Sequence, residues 1–139
     1  MGAIQGHFSR HLVALDAARS CKEAAELMHD KKVGAVAVTQ KGEPVGLVSE
    51  RDLVVQLVRT GVTHDTPLGE IVKRDGPAVG TAATDRECAD MMRSHHCRHL
   101  LVREHGRVVG LVSMRDVIAL MLEEKEYVIQ TLEGYIQGH

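Results

Sequence analysis

The chain is predicted to fold as an α/β protein of the mixed α+β kind, two β-α-β-β-α units followed by a helical extension. Three observations predict this. First, Val45-Gly46-Leu47-Val48-Ser49-Glu50-Arg51-Asp52-Leu53 returns 64 residues later as Val109-Gly110-Leu111-Val112-Ser113-Met114-Arg115-Asp116-Val117. From Ser20 to Val54 the second copy, Thr84 to Ile118, aligns without a gap, and twelve of the 35 pairs are identical. A fixed internal period means one structural unit used twice. Second, each copy holds two apolar runs separated by a turn that contains Gly, which is the signature of a β-hairpin. Third, helical spacing of apolar residues continues well past the second copy, through Ile136.

Within the first copy, His11 to Asp16 is a short apolar stretch that reads as a strand. Ser20-x-x-Glu23 follows, a capping box in which each side chain satisfies a backbone N–H of the other residue. Ala24, Ala25, Leu27 and Met28 then stripe a helix. Ala35 to Thr39 and Val45 to Ser49 are the hairpin strands, with Lys41-Gly42-Glu43-Pro44 as the turn. Asp52 precedes a second helical pattern over Leu53 to Arg59, and Asp is a favoured N-cap.

The second copy repeats each step. Thr84-x-x-Glu87 leads a helix with Ala89, Met91 and Met92. His99 to Arg103 and Val108 to Ser113 flank His105-Gly106-Arg107, and Asp116 leads the helix from Val117 onward. Between the copies, Thr60 to Pro67 is a polar linker followed by a short helix around Leu68 to Lys73. After the second copy, Met121, Leu122, Val128, Ile129, Leu132 and Ile136 keep helical spacing around Glu123-Glu124-Lys125-Glu126. This tail is polar on one side and apolar on the other, suited to packing back on the pair or to meeting a second chain.

Bulk composition excludes several classes. A copy of about 60 residues is marginal as a lone core, so docking of the two copies is expected. Seventeen basic residues stand against nineteen acidic ones, which argues against a nucleic-acid binder or an acidic-membrane binder. Phe8, Tyr127 and Tyr135 are the only aromatics and there is no Trp, so base-stacking platforms lack their material. No apolar run reaches transmembrane length and no signal peptide is evident. Cys21, Cys88 and Cys97 are odd in number and lack ligand-type pairing, consistent with a reducing cytoplasm. No nucleophile–base constellation, P-loop or Gly-x-Gly-x-x-Gly occurs, and catalysis is not expected.

Gly-Leu-Val-Ser-x-Arg-Asp after a hairpin, twice in register, resembles the tandem CBS-domain pair, or Bateman module. Cys97-Arg98-His99-Leu100-Leu101-Val102 is similar to that family's second-strand segment, and the stretch through Tyr135 resembles the C-terminal helix of small stand-alone CBS proteins. The resemblance spans about Leu12 to Leu122. It implies repeats at residues 8–64 and 65–122, packed about a pseudo-two-fold axis, with a helical tail at 123–139. It also implies a non-catalytic regulatory module that holds an adenine nucleotide (AMP, ADP, ATP, NAD or S-adenosylmethionine) in clefts between the repeats. AMP, ATP or NAD is the ligand most favoured. Occupancy would be relayed through conformation or through a flat homodimer to an effector protein.

Carried over residue by residue, the resemblance gives Ser49 and Asp52 the ribose and phosphate roles in one site, and Ser113 and Asp116 in the other. A carboxylate accepts two hydroxyl donors of a cis-diol at once, and a helix start offers N–H groups to phosphate. Arg51 and Arg115 would supply charge in a planar fork. The strand backbone at Ala35 and His99 would read the adenine edge. The chain also departs from the family pattern. Ala37 and Leu101 stand where many members carry Pro, Met114 replaces Glu50, and Arg98-His99 replaces Gly34-Ala35. Unequal sites follow from these differences.

Plainer roles stay open for the same residues. Asp52 and Asp116 serve equally as helix caps, the two arginines as solvated charges, and the serines as partners of local backbone groups. Such a chain would be a scaffold of the same fold that binds no nucleotide. His95-His96-Cys97-Arg98-His99 spans a helix end and a strand start, so its side chains should diverge rather than gather on zinc. The methionines are expected as helix-core filler.

Overall fold

In the computed structural model, which describes residues 2–74 and 76–137, the chain divides into two units. One is His11–Gly76. The other is formed by residues 77–137 together with residues 2–10. Residue 75 of the expected second repeat and residues 138–139 of the expected tail lie outside the described residues.

The first unit runs β1 (Ala14–Asp16), α1 (Cys21–Lys31), β2 (Ala35–Gln40), β3 (Glu43–Ser49), α2 (Glu50–Arg59), a single 3-10 turn (Leu68–Glu70) and β4 (Lys73–Arg74). Its sheet has the order β1-β2-β3-β4, with β1 parallel to β2 and the other pairs antiparallel. The second unit repeats the order with β5 (Ala78–Gly80), α3 (Asp85–Ser94), β6 (His99–Glu104), β7 (Arg107–Ser113) and α4 (Met114–Ile136). The expected β-α-β-β-α order is therefore present in both units.

Both hairpins close tighter than the sequence suggests. The turn is Lys41-Gly42 in one and His105-Gly106 in the other, all four residues at positive φ between 53° and 78°. Two consecutive left-handed residues match the right-handed twist of the flanking strands. Glu43 and Pro44, expected in the turn, pair instead with Gln40 and Thr39. A bulge after Val38 makes room for Pro44, and the same bulge follows Val102, where no Pro is present. The bulge therefore belongs to the repeat and not to the proline.

α1 begins with the expected capping box, since the Ser20 hydroxyl accepts from Glu23 N–H at 3.1 Å and Glu23 accepts from Ser20 N–H at 3.4 Å. In α3, Thr84 caps in the same way, but the Glu87 carboxylate takes the Thr84 hydroxyl at 3.3 Å. The expected helix over Leu68 to Lys73 is a correction: only the 3-10 turn forms, and Lys73–Arg74 joins the sheet. Gly69 lies against Ala17 there, and the chain must straighten to reach β3.

The cores repeat as the sequence does. In the first unit Ala24, Met28, Val36, Val38, Val48, Leu53 and Leu68 are buried together. Their counterparts 64 residues on, or back, are Cys88, Met92, Leu100, Val102, Val112, Val117 and Ile4. Ile4 thus does for the second unit what Leu68 does for the first. The segment around it follows suit. Ala3 bridges Thr84 and Ser9 bridges Leu111, while Pro67 bridges Ser20 and Lys73 pairs with Leu47.

This explains an identical pair in the repeat. A side chain on Gly46 would strike the Lys73 carbonyl, with Val72 Cγ2 at 2.8 Å, and one on Gly110 would strike the Ser9 carbonyl and the Phe8 ring. The backbone of a neighbouring segment, β4 beside Gly46 and Phe8-Ser9 beside Gly110, comes so close that only Gly fits. Burial pushes the Cys88 thiol up to about 11, with Glu87 and Asp85 adding to it, and burial likewise raises Cys21.

Candidate functional site

Each β3-like strand ends on the same short construction. The Ser49 hydroxyl accepts from Asp52 N–H at 3.1 Å, and Asp52 Oδ2 accepts from Ser49 N–H at 2.9 Å. Ser113 and Asp116 repeat this at 3.2 and 2.8 Å. These are capping boxes with Asp in the third helical position. The sequence reading, which made Asp52 and Asp116 the caps of helices from Leu53 and Val117, is corrected here. The serines are the caps, and α2 and α4 start at Glu50 and Met114. A Ser hydroxyl reaches the third amide easily, and a carboxylate there also meets the positive end of the helix dipole.

The expectation of free amides for a phosphate is corrected too. Ser49 and Asp52 N–H groups serve the capping box, and Glu50 N–H donates to the Gly34 carbonyl at 3.0 Å. Met114 N–H donates likewise to Arg98 at 2.9 Å. The amides of the Ser, of the residue after it and of the Asp at each helix start are therefore engaged within the unit. What remains to attract an anion is mainly the dipole.

The strand residues join these turns through the ladder. Ala35 lies directly across from Ser49, and His99 across from Ser113. Val36, Val38 and Val48 point into the core, so Ala35, Ala37 and Ser49 lie on the other face of the sheet. Ala35 and Ala37 are buried nonetheless. In the second unit His99, half-buried, stands in the place of Ala35, and Leu101 in that of Ala37. Ala35, Ser49 and Asp52 thus form one neighbourhood, and His99, Ser113 and Asp116 another. Arg51 and Arg115 are exposed in the first helical turn. Of the histidine cluster, His95 and His96 are exposed while His99 lies on the sheet. Among the described residues, no three His, Cys, Asp or Glu side chains converge as a metal-ligand set.

One residue near the first neighbourhood escaped the sequence reading. Lys73 Nζ lies 3.8 Å from Asp52 Oδ1. An exposed pair of this kind contributes little to stability, but it places a cation beside one of the two carboxylates. The signal was available, because the 64-residue offset carried back to the N-terminus sets Lys73 against Ser9. The two neighbourhoods therefore differ in charge as well as in shape.

Two sheets, β1-β2-β3-β4 and β5-β6-β7, each with a parallel pair followed by a hairpin that ends in Ser-x-Arg-Asp at a helix start, define a tandem CBS pair of the Bateman-module type. The CBS domain model matches residues 4–59 and 62–123, and the chain belongs to that family. An uncharacterised protein of Methanopyrus kandleri, MK0525, is 32% identical over 118 residues, covering 80% of this chain. The chain spans only 56% of that relative's length. Among solved structures, a conserved Pyrococcus horikoshii protein superposes with a TM-score of 0.80 at 24% identity, covering 86% of this chain and 92% of the other. The CBS domain protein PAE2072 of Pyrobaculum aerophilum, complexed with AMP, superposes at 0.75 with 27% identity, covering 87% and 96%. The fold class and the family resemblance read from the sequence are both borne out.

Proposed function

We propose that this chain is a non-catalytic regulatory module that binds an adenine nucleotide at its Ser-x-Arg-Asp turns. It would report occupancy through a change of conformation or of homodimer packing to an effector protein. The observation that carries this reading is the pairing of Ala35 with Ser49 and, through the capping box, with Asp52 on the face of the sheet turned away from the core. Strand backbone, hydroxyl and carboxylate are thereby gathered as the family's ligand contacts require. The AMP complex of a relative with 27% identity lends it weight.

The cap engages one carboxylate oxygen of each Asp and leaves the other outside it. A carboxylate carries two oxygens with about four lone-pair directions, and the cap uses one of them. A ribose diol would take the other oxygen, Oδ1, on Asp52 or Asp116. His99 and Lys73 make the two sites unequal, and the Asp52 site, with a cation beside it, suits the more highly charged ligand. AMP, ATP or NAD remains the favoured class. A reducing cytoplasm is the proposed setting, supported by three free thiols. Among the described residues, no helix is long and apolar enough to cross a membrane.

One observation favours a second reading, a scaffold that binds no nucleotide: the Ser and Asp side chains and most helix-start amides are already engaged in the capping boxes. Thermal unfolding against AMP, ADP, ATP, NAD and S-adenosylmethionine separates the two. A ligand at one hundred times its dissociation constant adds about 2.7 kcal/mol. The comparison uses Asp52→Asn and Asp116→Asn, which retain an oxygen for the cap but lose the charge. A shift with one nucleotide that one variant abolishes supports binding. No shift with any of the five establishes the scaffold reading.

A further inference from the structure

The register of the first sheet adds a cation to the face that carries the candidate site. Ala37 lies across from Leu47, and Leu47 across from Lys73. Residues directly opposite each other in a sheet share a face. The Lys73 side chain therefore leaves from the same side as Ala35, Ala37 and Ser49. Its main chain is fixed there, with the Lys73 carbonyl against Gly46. The side chain itself is 75% exposed, and its ammonium stands 3.8 Å from Asp52 Oδ1.

That oxygen is the one a ligand needs. Asp52 Oδ2 is taken by the Ser49 N–H, so Oδ1 is what a ribose diol would meet. A neutral pair of hydroxyls arriving there competes with a cation already in place. An exposed ion pair is weak, which makes the ammonium exchangeable. A ligand with phosphates offers it a second anion to turn to, whereas a nucleoside offers none. A compact charge on a flexible four-carbon stem suits such a transfer. The second unit lacks the device. Ser9 bridges Leu111 as Lys73 pairs with Leu47, each offset by 64 residues, and Ser9 is exposed. Among the described residues, no cation pairs with Asp116.

We infer that Lys73 is the specificity-determining residue of the Asp52 site. It holds the ribose oxygen in the empty chain and passes to the phosphates when a nucleotide enters. The first site thereby selects by phosphate charge, ATP over AMP over adenosine. The Asp116 site, with Ser9 in that place, discriminates much less. The inference rests on the nucleotide reading above and names the residue that chooses among its ligands.

Titration calorimetry at low salt and without divalent cations tests it, on the full chain carrying Asp116→Asn to silence the second site. Lys73→Met in that background should lower the ratio of ATP affinity to adenosine affinity by about tenfold. This is roughly the worth of one exposed charge pair lost to ATP and one competitor removed for adenosine. Lys73→Arg keeps the charge and should keep the ratio. In the opposite background, Asp52→Asn, the Ser9→Lys change should raise the ratio of the second site by a similar factor. Lys73 and Ser9 are exposed and pair through their main chains, so these variants keep the fold.

A ratio unmoved by Lys73→Met, or lowered as much by Lys73→Arg, overturns the inference. So does an equal loss of ATP and adenosine affinity, which would mark Lys73 as a structural residue only. A second-site ratio that Ser9→Lys leaves unmoved overturns it as well. Absence of any binding by the unsubstituted chain is a different failure: it removes the nucleotide reading, and this inference with it.

Discussion

Gly46 and Gly110 show how far a single atom is constrained when neighbouring backbone lies at close range. Adding a methyl group at either position meets a backbone carbonyl, which has no alternative rotamer. Gly46→Ala and Gly110→Ala are each expected to lower stability by about 1–3 kcal/mol, the usual cost of overpacking. Gly80→Ala, whose nearest neighbour is a backbone oxygen 4.0 Å away, should be nearly silent by comparison. Calorimetric melting of the three variants decides this, and equal losses would refute it. The capping boxes make a second claim at this scale. Ser49→Ala and Ser113→Ala should each cost about 1 kcal/mol in denaturant titrations, with or without nucleotide. A cost that appears only when nucleotide is present would show that these serines act on the ligand instead.

Cys88 adds a dependence on pH. Its folded thiol titrates near 11 because burial, then Glu87 and Asp85, disfavour the thiolate, whereas the ordinary value is 9.0. Between these values the unfolded chain sheds a proton that the folded chain keeps, so stability is whole below pH 9 and falls as pH rises toward 11. Cys88→Ala should flatten the pH dependence of the melting temperature across this alkaline window. An unchanged slope would count against the assignment. At neutral pH, Cys88 should resist alkylation until the second unit opens.

At the scale of elements, the repeat made most of the fold legible. Strands β2, β3, β6 and β7 were read within a residue or two of their ends, because hydrophobic alternation and a Gly turn act locally. The starts of α2 and α4 were misplaced by one turn, whereas α1 and α3 begin at the expected caps, Ser20 and Thr84. Asp and Ser are both good caps, and local sequence does not say which of two neighbours turns into the helix first. β4 and the 3-10 turn were missed for a different reason. Lys73 and Arg74 are strand residues only because β3 offers them an edge, which is a tertiary fact.

The candidate site was legible in its residue types but not in its occupancy. Ser49, Asp52 and Ala35 lie in one neighbourhood, as the family resemblance implied, while the helix-start amides proved to be engaged already. The N-terminal element makes its own prediction. Ile4→Ala should destabilise the second unit by about 2–5 kcal/mol, as Leu68→Ala should the first, both being fully buried aliphatic side chains. Hydrogen exchange resolved by residue would report which unit loses protection. Loss confined to residues 11–76 in the Ile4→Ala chain would contradict this assignment.

On the scale of the whole molecule, residues 2–10 close onto residues about a hundred positions away, Ser9 onto Leu111, whereas the equivalent strand of the first unit reaches back only from Lys73 to Leu47. Closing the longer loop carries the larger entropic cost. The consequence concerns time. On a ribosome, residues 11–76 have every partner they need soon after they emerge. Residues 2–10 emerge before them and stay unpaired until β7 follows about a hundred residues later. Ile4 and Phe8 thus stay exposed while residues 11–76 fold. The first unit is expected to mature early and the second to close late, its earlier-made residues among the last to find their place.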